Sequence, residues 1–257
     1  MRIASWNVNS IRARLEHLGE WLRRAKPDVV CLQETKVEDE KFPIEALGEA
    51  GYGVVFAGQK TYNGVAIAAR FGMAIEDVKK NLDGDDGDTA RRLIAATVEG
   101  VRIVNVYVPN GQAVGTKPFA YKLMWLDRLK LELASKHSSN DQLLVCGDFN
   151  VAPLDVDVYA PKKWEGQVLC HPDERAALRR LVDWGLVDAL RERHPGEQIY
   201  SWWDYRMGAY KKNHGLRIDL VLVTPPLLER TKDVWVDKSP RELERPSDHA
   251  PVLIDIE

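Results

Sequence analysis

Cysteine is scarce in this chain, and a long apolar run is absent. Its three cysteines, Cys31, Cys146 and Cys170, are too few and too scattered for a disulfide framework or a zinc-type spacing. Cys31 and Cys146 sit inside apolar runs, so buried free thiols in a reducing compartment are expected. No stretch approaches the roughly 18 apolar residues of a membrane span, and Met1 to Asn7 holds no signal-like segment. A cytoplasmic protein with no membrane partner is therefore expected. A dominant charge is also missing, because 36 Lys and Arg face 39 Asp and Glu for a net charge of −3. That total does not announce a nucleic-acid binder. The basic residues are nevertheless clustered at Arg12 and Arg14, Arg91 and Arg92, Lys162 and Lys163, and Lys211, Lys212 and Arg217. Each cluster could be a solvated face, or together they could line a phosphate path. There is no low-complexity linker and no short-period repeat, so a single domain over residues 1–257 is expected.

What the chain does have is short buried runs that end in polar residues. Leu143 to Cys146 is apolar throughout, as a strand covered on both faces must be, and Gly147, Asp148, Phe149 and Asn150 follow at once. Arg2 to Trp6 reads as a first strand ending in Asn7. Ser10 is a plausible cap for a helix that carries Ile11, Leu15, Leu18, Leu22 and Ala25 at helical spacing. Val29 to Leu32 is a second buried strand, followed by Gln33, Glu34 and Thr35. A short helix is expected over Phe42 to Ala50. The runs Tyr52–Phe56, Gly64–Ala69, Leu93–Val98 and Val101–Tyr107 are rich in β-formers, with Glu99-Gly100 marking a hairpin. Helical periodicity covers Phe119 to Ser135 and Asp173 to Gly185, and further strands are expected at Leu216–Val223 and Ala250–Ile256. The acidic stretch Asp83 to Asp88 fails as a calcium loop. Its sixth position is not glycine and its twelfth is Ile94, so it reads as a solvated loop. Strands mixed with long helices indicate an α/β (α+β) fold in layers.

The polar residues at strand ends form a set. Asn7, Glu34, Asp148 and Asn150 follow strands, Tyr107 and Asn110 end the hairpin's second strand, Asp219 lies inside a run, and Asp248 and His249 precede the last strand. Any one of them is accounted for by a turn, since Asp and Asn favour turns through local hydrogen bonds. Their recurrence argues for a shared site. Glu34, Asp148 and Asp248, with amide and water oxygens, are hard donors suited to Mg²⁺ or Mn²⁺. A cluster of this kind without a phosphate-cradling glycine loop fits phosphodiester hydrolysis better than nucleotide-driven transfer.

Five blocks carry a resemblance: Ser5-Trp6-Asn7-Val8-Asn9, Leu32-Gln33-Glu34-Thr35-Lys36, Gly147-Asp148-Phe149-Asn150, Gly215-Leu216-Arg217-Ile218-Asp219 and Ser247-Asp248-His249-Ala250-Pro251. Their order and spacing, together with Tyr200 to Arg206, closely resemble the exonuclease III and AP-endonuclease branch of the endonuclease/exonuclease/phosphatase superfamily. The resemblance implies a four-layered α/β sandwich, two facing sheets flanked by helices, with its site at one rim. It implies a metal set of Asn7, Glu34, Asp148, Asn150, Asp248 and His249, and a catalytic set of Tyr107, Asp148, Asn150, Asp219 and His249. In those roles Asp148 deprotonates the attacking water, Asn150 holds water or a phosphate oxygen, and Asp219 fixes the tautomer of His249. Trp202, Leu216 and Ile218 match the pocket for a baseless sugar, and Asn110, Arg91 and Lys211 are expected along the DNA. The partner implied is double-stranded DNA with abasic sites or blocked 3′ ends, cut by a monomer using Mg²⁺. Two features depart from exonuclease III: Asn110 stands where that enzyme has Gln, and the loop Gly111 to Lys117 is shorter. The alternatives are an enzyme that mainly trims 3′ ends, or a phosphatase of the same superfamily.

Overall fold

A computed structural model describes residues 1–83 and 88–257; the acidic stretch at Asp83 to Asp88 therefore lies mostly outside the described residues. In chain order the strands are β1 (Arg2–Asn7), β2 (Val29–Gln33), β3 (Tyr52–Ala57), β4 (Val65–Arg70), β5 (Glu76–Lys80) and β6 (Leu93–Val98). They continue as β7 (Val101–Tyr107), β8 (Leu143–Asp148), β9 (Val187–Asp188), β10 (Asp219–Val223), β11 (Thr231–Val236) and β12 (Val252–Ile256). The α-helices are α1 (Leu15–Ala25), α2 (Ile44–Glu49), α3 (Lys117–Lys136), α4 (Pro161–Trp164), α5 (Pro172–Asp183), α6 (Ala189–Arg193) and α7 (Pro225–Glu229).

Two mixed six-stranded sheets face each other, in the orders β11-β12-β1-β2-β4-β3 and β5-β6-β7-β8-β10-β9. Alternation along each strand sorts its residues between two cores. Ile3, Val29, Cys31, Leu144 and Cys146 point between the sheets. Ala4, Trp6, Val30 and Leu32 point the other way, under Leu18, Trp21 and Leu22 of α1. Leu143 and Val145 pack beneath α3 and α5 through Leu126, Leu129, Ala177 and Leu181. The result is the four-layered α/β sandwich. Strands buried on both faces explain the unbroken apolar runs, and all three cysteines are buried and free.

Several expectations change at element ends. Ser10 does not cap α1: it has φ +85, a 3₁₀ turn intervenes at Arg12–Arg14, and Arg14 holds the cap position without a side-chain bond. Only Ile44–Glu49 of the expected Phe42–Ala50 helix forms, starting after Pro43. β10 begins at Asp219; Leu216 instead makes isolated bridges to Val158 and Trp202. The Glu99-Gly100 hairpin is present, with both residues at positive φ, as a type I′ turn requires.

Candidate active site

The topology brings distant residues to one rim. β1 and β2 run parallel, so Asn7 and Glu34 emerge side by side. In the other sheet β7 and β8 run parallel and pair Tyr107 with Asp148. β10 is antiparallel to β8 and starts opposite the end of that strand, which makes Asp219 the register partner of Asp148. β12 is antiparallel to β1, and Asp248 and His249 arrive at the same rim just before it. Gly147 is required here. At φ +142, a Cβ would lie 1.9 Å from the Val106 carbonyl oxygen of the adjacent strand. Glu34 and Asn150 both hold the left-handed conformation, at φ +50, a strain more costly for Glu than for Asn.

Hydrogen bonds tie the two sheets together across the rim. The Asn7 amide donates to Glu34 Oε1 at 2.8 Å and to Asp148 Oδ2 at 2.9 Å. Asp148 Oδ1 accepts from the Asn150 N–H at 2.9 Å. His249 Nδ1 donates to Asp219 Oδ2 at 2.8 Å and faces its other oxygen at 3.1 Å, while Nε2 stands 3.7 Å from Asp148 Oδ2. Asn110 Nδ2 donates to Asn150 Oδ1 at 2.9 Å, and Asn150 Nδ2 donates to the Val108 carbonyl at 3.0 Å. Lys36 pairs with Glu34 Oε2 at 2.7 Å and donates to Asn9 Oδ1 at 2.6 Å.

Burial sets the charges. It pushes the Asp148 carboxyl up to about 7, with the Asp219 and Glu34 carboxylates adding to the rise and the His249 cation opposing it. For His249, burial alone favours the neutral ring. Asp219 foremost, then Asp148, outweigh it and push the imidazole up to about 10. Burial and the Glu34 and Asp148 carboxylates hold the Tyr107 phenol protonated far above neutral pH. Burial would raise Asp248, but the His249 cation and the bonds from Trp202 and Asn9 hold it below the usual carboxylate range.

Oxygens of Glu34 and Asp148 and a ring nitrogen of His249 lie within 4.8 Å of one another, close enough to surround one ion. Two carboxylates facing across a buried gap, joined by one amide, suit a hard divalent cation. Asp248 is set back from this group: its oxygens accept from Asn9 Nδ2 and Trp202 Nε1, each at 2.9 Å. Leu216 and Ile218 form a small apolar cluster with Ala152, Val158, Leu169 and Cys170, against which Trp202 packs. Trp203 is fully buried and is core. Lys211 is exposed and lines a separate cavity with Lys238 and Arg241. The Arg91 backbone is held by Gln59 and Gly64 on the approach to β6. The adjacent Arg92 was not distinguished by sequence, yet its guanidinium lies 4.9 Å over the Tyr107 ring and donates to the Tyr107 carbonyl. Asn9 and Lys36 were likewise missed as site residues, although both stand inside the motifs quoted above.

The sequence pattern of the endonuclease/exonuclease/phosphatase family matches residues 4–249. The chain belongs to that family. Within it, the chain is 36% identical over 265 residues to exodeoxyribonuclease III of Haemophilus influenzae, covering 98% of each chain. Among solved structures, an AP endonuclease from Archaeoglobus fulgidus superposes with TM-score 0.96 at 44% identity, over 100% of this chain and 99% of that one. A 3′ phosphatase from Neisseria, NExo, bound to a product DNA hairpin, gives TM-score 0.96 at 43% identity over the same shares. The chain is thus an exonuclease III-type family member and a hydrolase of the nuclease class.

Proposed function

We propose that this family member is a Mg²⁺-dependent DNA repair nuclease, with Mn²⁺ able to substitute. It hydrolyses the phosphodiester 5′ to an abasic site to leave a 3′-hydroxyl, and it also trims blocked 3′ ends. It acts as a monomer on duplex DNA in the cytoplasm. The observation that supports this best is the pairing of a buried carboxylate, Asp148, with a buried imidazolium, His249, 3.7 Å apart. One is placed to accept a proton and the other to donate to a phosphate oxygen.

Glu34 and Asp148, with Asn7 and Asn150 beside them, would hold the ion, and Asp248 would reach it through water. When bound, the ion supplies positive charge to the phosphate and to the departing 3′ oxygen. Asp148 takes the proton of the attacking water, with its carboxylate oriented by the Asn7 and Asn150 N–H groups. His249, charged in the absence of an ion, would donate to a phosphate oxygen, and its ring also stands within reach of the ion. Asp219 holds that ring in place and keeps it charged. Tyr107, neutral at working pH, donates to a phosphate oxygen. Leu216, Ile218 and Trp202 receive the sugar that has lost its base, which is cheap to extrude because it has no stacking to lose. Asn110, Arg91 and Lys211 would lie along the DNA beyond this pocket.

A second reading, mainly a 3′-end-trimming enzyme, draws on the Neisseria NExo structures, described as a 3′ phosphatase and as a 3′-5′ exonuclease, which are as similar to this chain as the AP endonuclease is. The test compares cutting of one labelled duplex with and without a single abasic site, in Mg²⁺ and in EDTA. Fast incision at the site in Mg²⁺ alone supports the first reading. End-trimming with little incision selects the second, and no cutting of either substrate points to a phosphatase.

A further inference from the structure

Lys122 has no place in the chemistry above, yet it is among the largest fully buried side chains of the protein. It projects from α3, and its ammonium donates to the Asn150 carbonyl at 2.6 Å and to the Asn110 carbonyl at 3.1 Å. Its third partner is the carboxylate of Glu174 on α5, which is fully buried as well. Glu174 also accepts from the His171 N–H at 3.0 Å, so it is anchored at the start of its own helix.

The two carbonyls belong to the segments that leave β7 and β8. The segments meet again through the Asn110–Asn150 side-chain bond of 2.9 Å, and the Asn150 N–H holds Asp148 Oδ1 at 2.9 Å. Gly111 sits on the lysine stem: a Cβ there would lie 3.1 Å from Lys122 Cδ. A continuous path therefore runs from one buried ammonium through two loop carbonyls to Asp148. A hydrophobic side chain of similar length would fill this volume without burying an ion pair, and such replacements are often neutral or stabilising. The three donors of an ammonium, each used on a different partner, are what a hydrophobic residue lacks.

We propose that Lys122, with Glu174 as its counter-charge, is a positioning residue that clamps the Asn110 and Asn150 segments so that Asp148 and the Asn150 amide keep their working geometry. This rests on the assignment of Asp148 as the base. A competing account gives the pair only the task of joining α3 to α5.

The two accounts separate in the double variant Lys122→Met, Glu174→Gln, which removes both charges and keeps both shapes. With clamping, the variant melts like the wild type but its kcat on an abasic duplex falls roughly 10–100-fold, with KM changed by less than about threefold. Amide hydrogen exchange then quickens at residues 108–112 and 149–152. Glu174→Gln alone keeps the lysine nitrogen, whose N–H groups can still donate to both carbonyls, and should lose clearly less kcat than the double variant. Wild-type kcat in the double variant, or unchanged exchange in both segments, overturns the proposal. If the double variant does not fold, Lys122→Met and Glu174→Gln are compared directly, and equal kcat in the two overturns it. Failure of the wild type to cut would sink the functional reading instead, while the exchange measurement, which needs no substrate, still decides the clamp.

Discussion

Replacing Asp219 with Asn probes the charge balance of the site. Asn keeps the shape and can still accept from the His249 Nδ1–H, but the negative charge 2.8 Å from the ring is lost. In the wild type the ring is pushed up to about 10, with burial working against Asp219, Asp148 and Asp248, so it is cationic throughout the neutral range. Without Asp219, burial is opposed only by the remaining carboxylates. If the ring returns to its ordinary pKa of about 6.5, roughly one ring in ten is charged at pH 7.5 and one in a hundred at pH 8.5. Since rate follows the charged fraction, kcat should fall about tenfold at pH 7.5 and about a hundredfold at pH 8.5, within the range for a lost charged donor. The wild type should stay flat across the same interval. Single-turnover incision of an abasic duplex in excess Mg²⁺, followed over that range, reads both curves. A loss that is the same at both pH values would mean that Asp219 only orients the ring. A loss below about threefold at pH 8.5 would refute the role of the His249 charge.

Asp148→Asn should lower kcat by about 10²–10⁴-fold and leave duplex affinity within about threefold; equal losses in both would mean that the base has been misassigned. Gly147→Ala should cost more than about 4 kcal/mol, because the new Cβ meets strand backbone that cannot yield. A thermal melt like that of the wild type would contradict it. Mg²⁺ binding at pH 7 should release about half a proton, since Asp148 titrates at about 7 without the ion and a bound cation favours its ionised form. The release, read in weakly buffered solution at pH 7, should be lost in Asp148→Asn; release of equal size in that variant would assign the proton to another group.

Much of the fold was legible because its central strands are buried on both faces. β1, β2, β4, β6, β7, β8 and β12 each appear in the sequence as a short apolar run with a polar stop. β5, Glu-Asp-Val-Lys-Lys, lies at a sheet edge and is largely exposed, so it carries no apolar signal. β9 has two residues, and β11 buries only Thr231 and Val234. Most acids and amides of the site were legible because they stand where a buried run ends, Asp219 because it interrupts one, and Asp248 and His249 because they directly precede one. Arg92 and Asn9 were not, because what each does depends on a partner distant in sequence. Lys122 left a faint signal. Phe119, Lys122, Leu126, Leu129 and Leu133 form one buried stripe of α3, and the lysine fills a position where the spacing calls for an apolar residue.

The site draws on both sheets, so its geometry depends on how they are spaced and aligned. Asn7, Glu34 and His249 come from one sheet; Tyr107, Asp148 and Asp219 come from the other. The core between them is mostly Val, Ile, Leu and Ala, and contacts of that kind resist separation but tolerate small slides. Just beneath the rim the core turns polar. Gln33 donates to Asn105 Oδ1 at 2.7 Å, and Asn105 donates to the Leu32 and Ala66 carbonyls at 2.9 Å each. All of these groups are buried, so a slide of one sheet over the other would leave donors and acceptors unpaired at about 1–3 kcal/mol apiece. Gln33 immediately precedes Glu34, and Asn105 stands two residues before Tyr107. The polar contact that fixes the registry of the sheets therefore lies one step below the carboxylates that depend on it. A cation gripped from both sides would meet a gap whose width was already set by the fold.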